Sequence, residues 1–477
     1  MIADFPATTE TALRSIFDEM RRRYREAPTP PLAERRANLD KLEAAICKYR
    51  KQIVAALHAD FAKSAYEAEF TEIVVTLGEL RSARAHLQKW MKPEPVLGSL
   101  SMFGSSAEVR FDPKGVVAIL APWNYPFQLT MAPLIAALAA GNRCIVRPSE
   151  KARHTRDLIV TMLREAFPAT DVAVVGGEIE TAEALLKLPF DHIFFTGSTR
   201  VGKLVMRAAA EHLASVTLEL GGKSPCVVTA AADIGWAAKR IAWGKFMNAG
   251  QTCIAPDYVL VHESRERELL DALVRSVVSM YGATEAERAA TPDFCRIIDD
   301  GHFGRVAGLL HDTVRAGATV EIGGVTDAAR RYVAPTVLSA VTFDAPVMGE
   351  EIFGPVLPVI SYSSLADAIA KINALPKPLA LYAFSKRAAE IERILLQTPA
   401  GATVVNDTVL HWAHPHLPAG GVGQSGIGNY HGRYGFKAFS HERAVLRQSK
   451  ASLAPLLTPP YGKKTTAMLR IVEKLPS

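Results

Sequence analysis

The chain is poor in cysteine, with five in 477 residues, an odd total and no CxxC pair. That argues against a disulfide framework and the usual zinc spacing, and it favours a reducing compartment. No apolar run reaches the length needed to span a bilayer. The start, Met1-Ile2-Ala3-Asp4-Phe5, lacks a basic stretch leading into an apolar core, so no secretory signal is expected and the cytoplasm is. Net charge is a modest +6, spread through helices. Its densest cluster, Arg21-Arg22-Arg23 with Arg25, suits a solvated helix face, and nothing calls for nucleic acid. His411, His414 and His416 have no carboxylate or thiol cluster beside them, so no metal site is expected. No strand candidate is followed by GxGxxG, the usual dinucleotide fingerprint.

What is present is an ordinary globular composition, 49% hydrophobic and 22% charged, in a chain too long for one core. The first ninety or so residues repeat apolar side chains at helical spacing. Leu13, Ile16, Phe17, Met20 and Tyr24 mark one helix, Leu39, Leu42, Ile46, Ile53 and Leu57 a second, and a third runs from about Ser64 to Met91. Residues 95–113 read as an extended hairpin. Short apolar strands then alternate with amphipathic helices, starting at Val116–Leu120 and Arg143–Arg147 and continuing to about residue 220. This alternation predicts a parallel sheet covered on both faces, with ligands at the carboxyl ends of its strands. A second α/β set follows Gly221-Gly222, with strands expected at Pro225–Val228, Tyr258–His262, Thr319–Ile322 and Val356–Tyr362.

Within this pattern, Gly250-Gln251-Thr252-Cys253-Ile254 places a thiol at a bend among small and polar residues, where it is available as a nucleophile. A thiol that attacks a carbonyl needs an oxyanion donor, and Asn124 in Ala121-Pro122-Trp123-Asn124-Tyr125-Pro126 carries a side-chain amide. It also needs a base, and Glu219 in Leu218-Glu219-Leu220-Gly221-Gly222-Lys223-Ser224-Pro225 is a carboxylate. Phe195-Thr196-Gly197-Ser198-Thr199-Arg200-Val201-Gly202 opens a helix after a strand and offers a seat for a pyrophosphate. Thiol, base, oxyanion donor and hydride acceptor together specify oxidation of an aldehyde through a thioester.

These blocks, with Val146–Glu150 (VRPSE) and Glu350–Pro358 (EEIFGPVLP), stand in one order along the chain. On them the chain resembles the aldehyde dehydrogenase superfamily over nearly its full length, and most closely its class 3 branch. The branch rests on the short N-terminal arm, on Asn406-Asp407-Thr408, His411 and Pro415-His416-Leu417-Pro418, and on the glycine-rich run Gly420–Gly428. The resemblance implies two doubly wound parallel-sheet domains plus a small β bridging element. Residues 1–94 and 114–220 would bind NAD(P), 221–411 would form the catalytic domain, and 95–113 with 441–449 would bridge subunits of a homodimer. Residues 412–440 would return to the cofactor domain, and 450–477 would form a basic tail.

The resemblance also implies roles. Cys253 is the nucleophile, Glu219 the general base for the deacylating water, and Asn124 the oxyanion donor, while Lys223 helps order the site around Glu219. Trp123, Arg147, Ser149, Glu150, Gly197, Ser198, Gly202, Leu220, Gly221, Glu351 and Phe353 would surround the cofactor. Tyr125, Thr252, Ile254 and Trp412 would wall the pocket of an aromatic or medium- to long-chain aliphatic aldehyde. The family's usual KPSE reads Arg147-Pro148-Ser149-Glu150 here. A guanidinium fork suits the 2′-phosphate of NADP, and Glu150 opposes it, so both cofactors are expected with NAD somewhat favoured. The remaining cysteines, Cys47, Cys144, Cys226 and Cys295, are expected to be packing thiols. A coenzyme A-acylating enzyme and a catalytically silent homologue are the alternatives. Glu219 favours a water-using enzyme over the first, and the retained nucleophile, base and oxyanion donor speak against the second.

Overall fold

The computed structural model describes residues 7–98, 102–452 and 458–473. Residues 1–6, the 99–101 tip of the expected hairpin, and parts of the expected tail (453–457 and 474–477, with Lys474) lie outside the described residues. Helices Glu10–Glu26 and Leu32–Phe61 open the described chain, the second starting directly after Pro31. The expected third helix is present with one irregularity. Ala65–Ala68 passes through a π-helical turn, Glu69–Val74, before continuing as Val75–Trp90.

A six-stranded sheet follows. Its spatial order is Gly426–Ile427, Ser215–Glu219, His192–Thr196, Val116–Leu120, Arg143–Arg147, Val172–Val174, and only Gly426–Ile427 runs antiparallel to its neighbour. Strand Val116–Leu120 is buried along its whole length. Val117 and Ile119 face one core with the helix Gln128–Ala140, whose 13 residues are all buried. Val116, Ala118 and Leu120 face the opposite core with Leu13, Phe17 and Val205. Two buried faces explain why the strand reads as a continuous apolar run and not as an alternation. From Val116–Leu120 the chain fills the sheet in one direction, then crosses back to place His192–Thr196 on the other side. The topological switch point thus lies between the carboxyl ends of these two strands, where ligands bind in open α/β sheets.

The second sheet has seven strands in the order Thr319–Ile322, Thr336–Ser339, Val356–Tyr362, Tyr258–His262, Pro225–Val228, Ala380–Phe384, Ala402–Val405. Its one antiparallel pair joins Thr319–Ile322 to Thr336–Ser339. A third, three-stranded sheet pairs Ser105–Pro113 with both Glu94–Val96 and Ser440–Gln448. The second long edge of Ser440–Gln448 has no strand partner among the described residues. All five cysteines are free, and Cys144, Cys226 and Cys295 are buried. Cys47 is exposed, so it is not the packing thiol expected of it: helix Leu32–Phe61 turns that position to solvent. No described helix is long and apolar enough to cross a membrane.

Candidate active site

Helix Ile234–Phe246 ends at Met247, and the chain then turns through three consecutive residues of positive φ, Asn248 (54°), Ala249 (51°) and Gly250 (72°). The two that carry a Cβ cost about 1–2 kcal/mol each in this region. A Cβ on Gly250 would lie 2.3 Å from the carbonyl oxygen of Gly354, so only glycine fits there. The turn delivers Cys253 half-buried, with the N–H groups of Cys253 and Ile254 directed at its sulfur. Burial pushes the thiol well above the ordinary cysteine range, and the carboxyls of Glu351 and Glu219 push it further.

Glu219 closes strand Ser215–Glu219 and is 2% exposed. Neither of its side-chain oxygens has a hydrogen-bond partner, and burial drives its carboxyl well above the carboxylate range. Its charge is felt at Cys253. Asn124 follows strand Val116–Leu120 at the switch point, and its Nδ2 donates to Gln251 O at 3.1 Å. Asn248 Nδ2 donates to Asn124 O at 2.9 Å and to Gln251 O at 3.1 Å. Asn124 is thus tied to the backbone two residues before Cys253.

A largely apolar cavity opens beside the thiol. Tyr125, Thr252, Cys253, Ile254 and Trp412 line it, which brings together all four residues expected at the pocket wall. Tyr125 Oη and Thr252 Oγ1 share a hydrogen bond at 2.7 Å, and the Tyr382 hydroxyl donates to Ile254 O. Sequence reasoning missed the opposite wall: Phe70, Thr71 and Val75 from the π-helical turn and its exit, and Trp243, Met247 and Leu410. The periodicity of residues 64–91 gave the helix but not the extra residue that turns Phe70 and Thr71 inward.

The other side of Asn124 faces the switch point. Trp123 packs edge-on against Phe353 at 5.3 Å and His302 at 4.6 Å, away from the cavity. Ser198 caps helix Thr199–Ala210 through Val201 N and is exposed, leaving the helix N-terminus open to an anion. Gly197 lies against the Phe195 ring and Gly202 against Leu220, where a Cβ would come within 2.5 and 2.7 Å. Leu220 N–H bonds Ser425 O. The Glu351 carboxyl packs against Gly221 and accepts from Gly222 N–H, and burial together with Asp257 pushes it up to about 8.

Two expectations need correction. Arg147 does not present an open fork: its Nη2 donates at 3.0 Å to Glu150, Gly177 O and Glu178 O, because a buried guanidinium takes whatever acceptors surround it. Ser149 sits beside it, buried, accepting from Lys151 N. Lys223 does not touch Glu219. Its ammonium bonds Asp257 at 2.6 Å, Val347 O at 3.0 Å and Glu350 O at 2.9 Å, because Asp257 is the buried carboxylate that needs a cation. Asp257 in turn accepts Ile352 N–H, so Lys223 orders the segment bearing Glu351 and Phe353.

The residues around the switch point fit a dinucleotide. Arg147 Nε and Thr196 Oγ1 are buried there without partners, and the open helix N-terminus suits a pyrophosphate. Among the described residues no group of three or more metal-ligating side chains is present.

The aldehyde dehydrogenase family model matches residues 1–445. The chain is 42% identical over 464 residues to a probable coniferyl aldehyde dehydrogenase of Pseudomonas aeruginosa, covering 97% of this chain and 96% of that one. It is 43% identical over 450 residues to aldehyde dehydrogenase family 3 member B2 of Mus musculus, covering 94% and 92%. It is 42% identical over 440 residues to the dimeric NADP-preferring aldehyde dehydrogenase of Rattus norvegicus, covering 92% and 95%. A solved structure described as the substrate-bound state of Staphylococcus aureus AldH superposes with a TM-score of 0.93 at 41% identity, covering 96% and 99%.

Proposed function

The chain belongs to the aldehyde dehydrogenase family, in its class 3-like branch, and we propose that it oxidises an apolar aldehyde to the free carboxylic acid through an acylated Cys253. The observation that carries this reading is the placement of Cys253 in the wall of an apolar cavity, with the Glu219 carboxyl acting on its thiol and the Asn124 amide tied to the backbone two residues before it. Glu219, unpartnered and held above the usual carboxylate range, is a base poised to take the thiol proton. The Cys253 thiolate adds to the aldehyde carbon. The second hydrogen of the Asn124 amide and the Cys253 N–H meet the oxygen that becomes an oxyanion. A bound NAD(P)⁺, held by the residues around the switch point, would supply the acceptor for the hydride that leaves the adduct. Glu219 passes the thiol proton on to solvent, and the thioester left on Cys253 is then hydrolysed by water, with Glu219 accepting the water proton and the Cys253 sulfur leaving from the carbonyl carbon. Glu219 favours this route over transfer of the acyl group to coenzyme A.

The substrate reading is an aromatic or medium- to long-chain aliphatic aldehyde. Its support is the wall of Tyr125, Trp243, Trp412 and Phe70, which offers flat apolar faces, and the coniferyl aldehyde activity carried in the name of the Pseudomonas relative. For the cofactor, the Arg147–Glu150 ion pair supports use of both dinucleotides with NAD favoured, because the guanidinium partly offsets the repulsion between Glu150 and a 2′-phosphate. The open edge of Ser440–Gln448 supports a homodimer, since an unpaired edge is a template for pairing with another chain. Five free cysteines agree with the cytoplasm.

The test is an aldehyde panel assayed with NAD and NADP, alongside Cys253→Ala. The variant is expected to remain folded and to lose reduced-cofactor formation. Near-normal turnover would remove the mechanism. A kcat/KM ratio between cofactors beyond roughly a thousandfold, about 4 kcal/mol, would remove dual use.

A further inference from the structure

The turn ahead of Cys253 is held from a direction that none of the sequence blocks announces. At the end of helix Ile234–Phe246, the N–H of Met247 still reaches Trp243 O, but the next N–H, of Asn248, does not turn back to the helix. It donates to Glu67 Oε1 at 2.8 Å. Cys295 Sγ donates to the same oxygen at 3.5 Å. Asn248 begins the run of three positive-φ residues, and such conformations persist only where the surroundings fix them. From Asn248 the linkage continues: its side-chain amide bridges Asn124 O and Gln251 O, and Asn124 Nδ2 meets Gln251 O. Any movement of Asn248 is therefore passed both to the amide of Asn124 and to the backbone that carries the thiol. Glu67 itself belongs to the short helix Ala65–Ala68, beside the buried Lys63–Glu72 ion pair at 2.8 Å.

We propose that Glu67 is a positioning residue: its carboxyl fixes the left-handed turn before Cys253 and, through Asn248, sets the thiol against the Asn124 amide. The proposal rests on the reading of Cys253 as nucleophile and Asn124 as oxyanion donor. What the turn needs from Glu67 is an acceptor oxygen in a fixed place, so Glu67→Gln is expected to recover most of the function and Glu67→Ala is not. A displacement of about 1 Å in an aligned reacting group is worth on the order of a hundredfold in rate.

The experiment measures reduced-cofactor formation in a single turnover, with enzyme in excess over aldehyde, together with steady-state aldehyde KM and the iodoacetamide alkylation rate of Cys253 read by peptide mass. For Glu67→Ala the single-turnover rate constant is expected to fall roughly 10- to 100-fold and the alkylation rate to change, with KM within about threefold of wild type. Glu67→Gln is expected to stay within about threefold of wild type in the single-turnover rate. An Ala variant with a wild-type rate per folded molecule overturns the proposal, as does a Gln variant as slow as Ala. Should Glu67→Ala fail to fold, Glu67→Asp, one methylene too short to reach Asn248 N–H, serves in its place, and a wild-type rate there overturns the proposal. Wild-type enzyme that forms no reduced cofactor with any aldehyde removes the underlying reading instead, while the alkylation rates of Cys253 still report on Glu67.

Discussion

Replacing Glu219 with glutamine separates what this residue does for chemistry from what it costs the fold. The carboxyl is 2% exposed and both oxygens lack partners, so the isosteric change breaks no hydrogen bond. Removing a general base typically lowers the rate by about 10²–10⁴-fold, and kcat of Glu219→Gln is expected in that range, with the loss in hydrolysis of the acyl-enzyme. Stability is expected to move the other way. Folding raises the Glu219 pKa, so between the unfolded value, about 4.3, and the folded one the native state holds a proton that the unfolded chain has released. Stability contributed by this proton is complete below the unfolded pKa and is lost as pH rises towards and through the folded pKa. Each unit of that upward displacement is worth about 1.4 kcal/mol. Glutamine does not titrate, so the variant escapes the loss. Thermal unfolding followed by circular dichroism should give equal melting temperatures at about pH 4 and a variant several degrees more stable at about pH 8, given about 2–4 °C per kcal/mol for a domain of 150–250 residues. A variant less stable than wild type near pH 8, or one that keeps full kcat, would refute the assignment of an unpartnered buried base.

Lys223→Met leaves Asp257 buried beside only Ile352 N–H and a Lys245 ammonium 4.0 Å away. Breaking such a pair costs about 3–5 kcal/mol, so at about 2–4 °C per kcal/mol the melting temperature is expected to drop by roughly 6–20 °C. Gly250→Ala forces a Cβ against Gly354 O at a φ of 72°; lower stability and lost activity, read by circular dichroism and turnover, are the expected result. In cofactor-free protein, iodoacetamide alkylation of Cys253 should still be accelerating above about pH 8.5, where an ordinary thiol is half ionised, because burial and two carboxyls hold the proton on; a plateau near neutrality would contradict this.

Elements with strong periodicity were legible from the residues. Val116–Leu120, Pro225–Val228, Tyr258–His262 and Val356–Tyr362 appear with the expected bounds, since continuous apolar runs between turn residues leave few alternatives. Strand Thr336–Ser339 was not legible, because Pro335 reads as a breaker, yet the strand is buried inside the second sheet. Gly426–Ile427 hides in a glycine-rich run, and only its pairing with Leu218 and Glu219 makes it a strand. At the site, a short sequence block can place a thiol, an amide or a carboxylate in a local context. It cannot disclose Glu67, Lys63 or Glu72. Charged residues on a helix read as a solvated face until the chain supplies buried partners from far away, as Asn248, Phe127 and Gln128 do here. The same blindness hides the partner of Lys223: the resemblance gives it an ordering role near Glu219, and only the fold shows that its ammonium is bound to Asp257.

The π-helical turn Glu69–Val74 makes the first helical region behave like a message with a phase. Its surplus residue lets Glu67 and Glu72, five positions apart, both reach inward, one to Asn248 and the other to the start of helix Gln128–Ala140, while Phe70 and Thr71 look into the cavity. Deleting one residue there would leave a regular, well-formed helix. It would also rotate everything upstream by about 100° relative to everything downstream. One set of contacts or the other would then point at solvent. Apart from Glu72, whose carboxylate is committed to Lys63 and two backbone N–H groups, substitutions within 69–74 should therefore be tolerated according to side-chain size, whereas single insertions or deletions should be refused regardless of what is added or removed, so lineages are expected to vary here in letters and not in length.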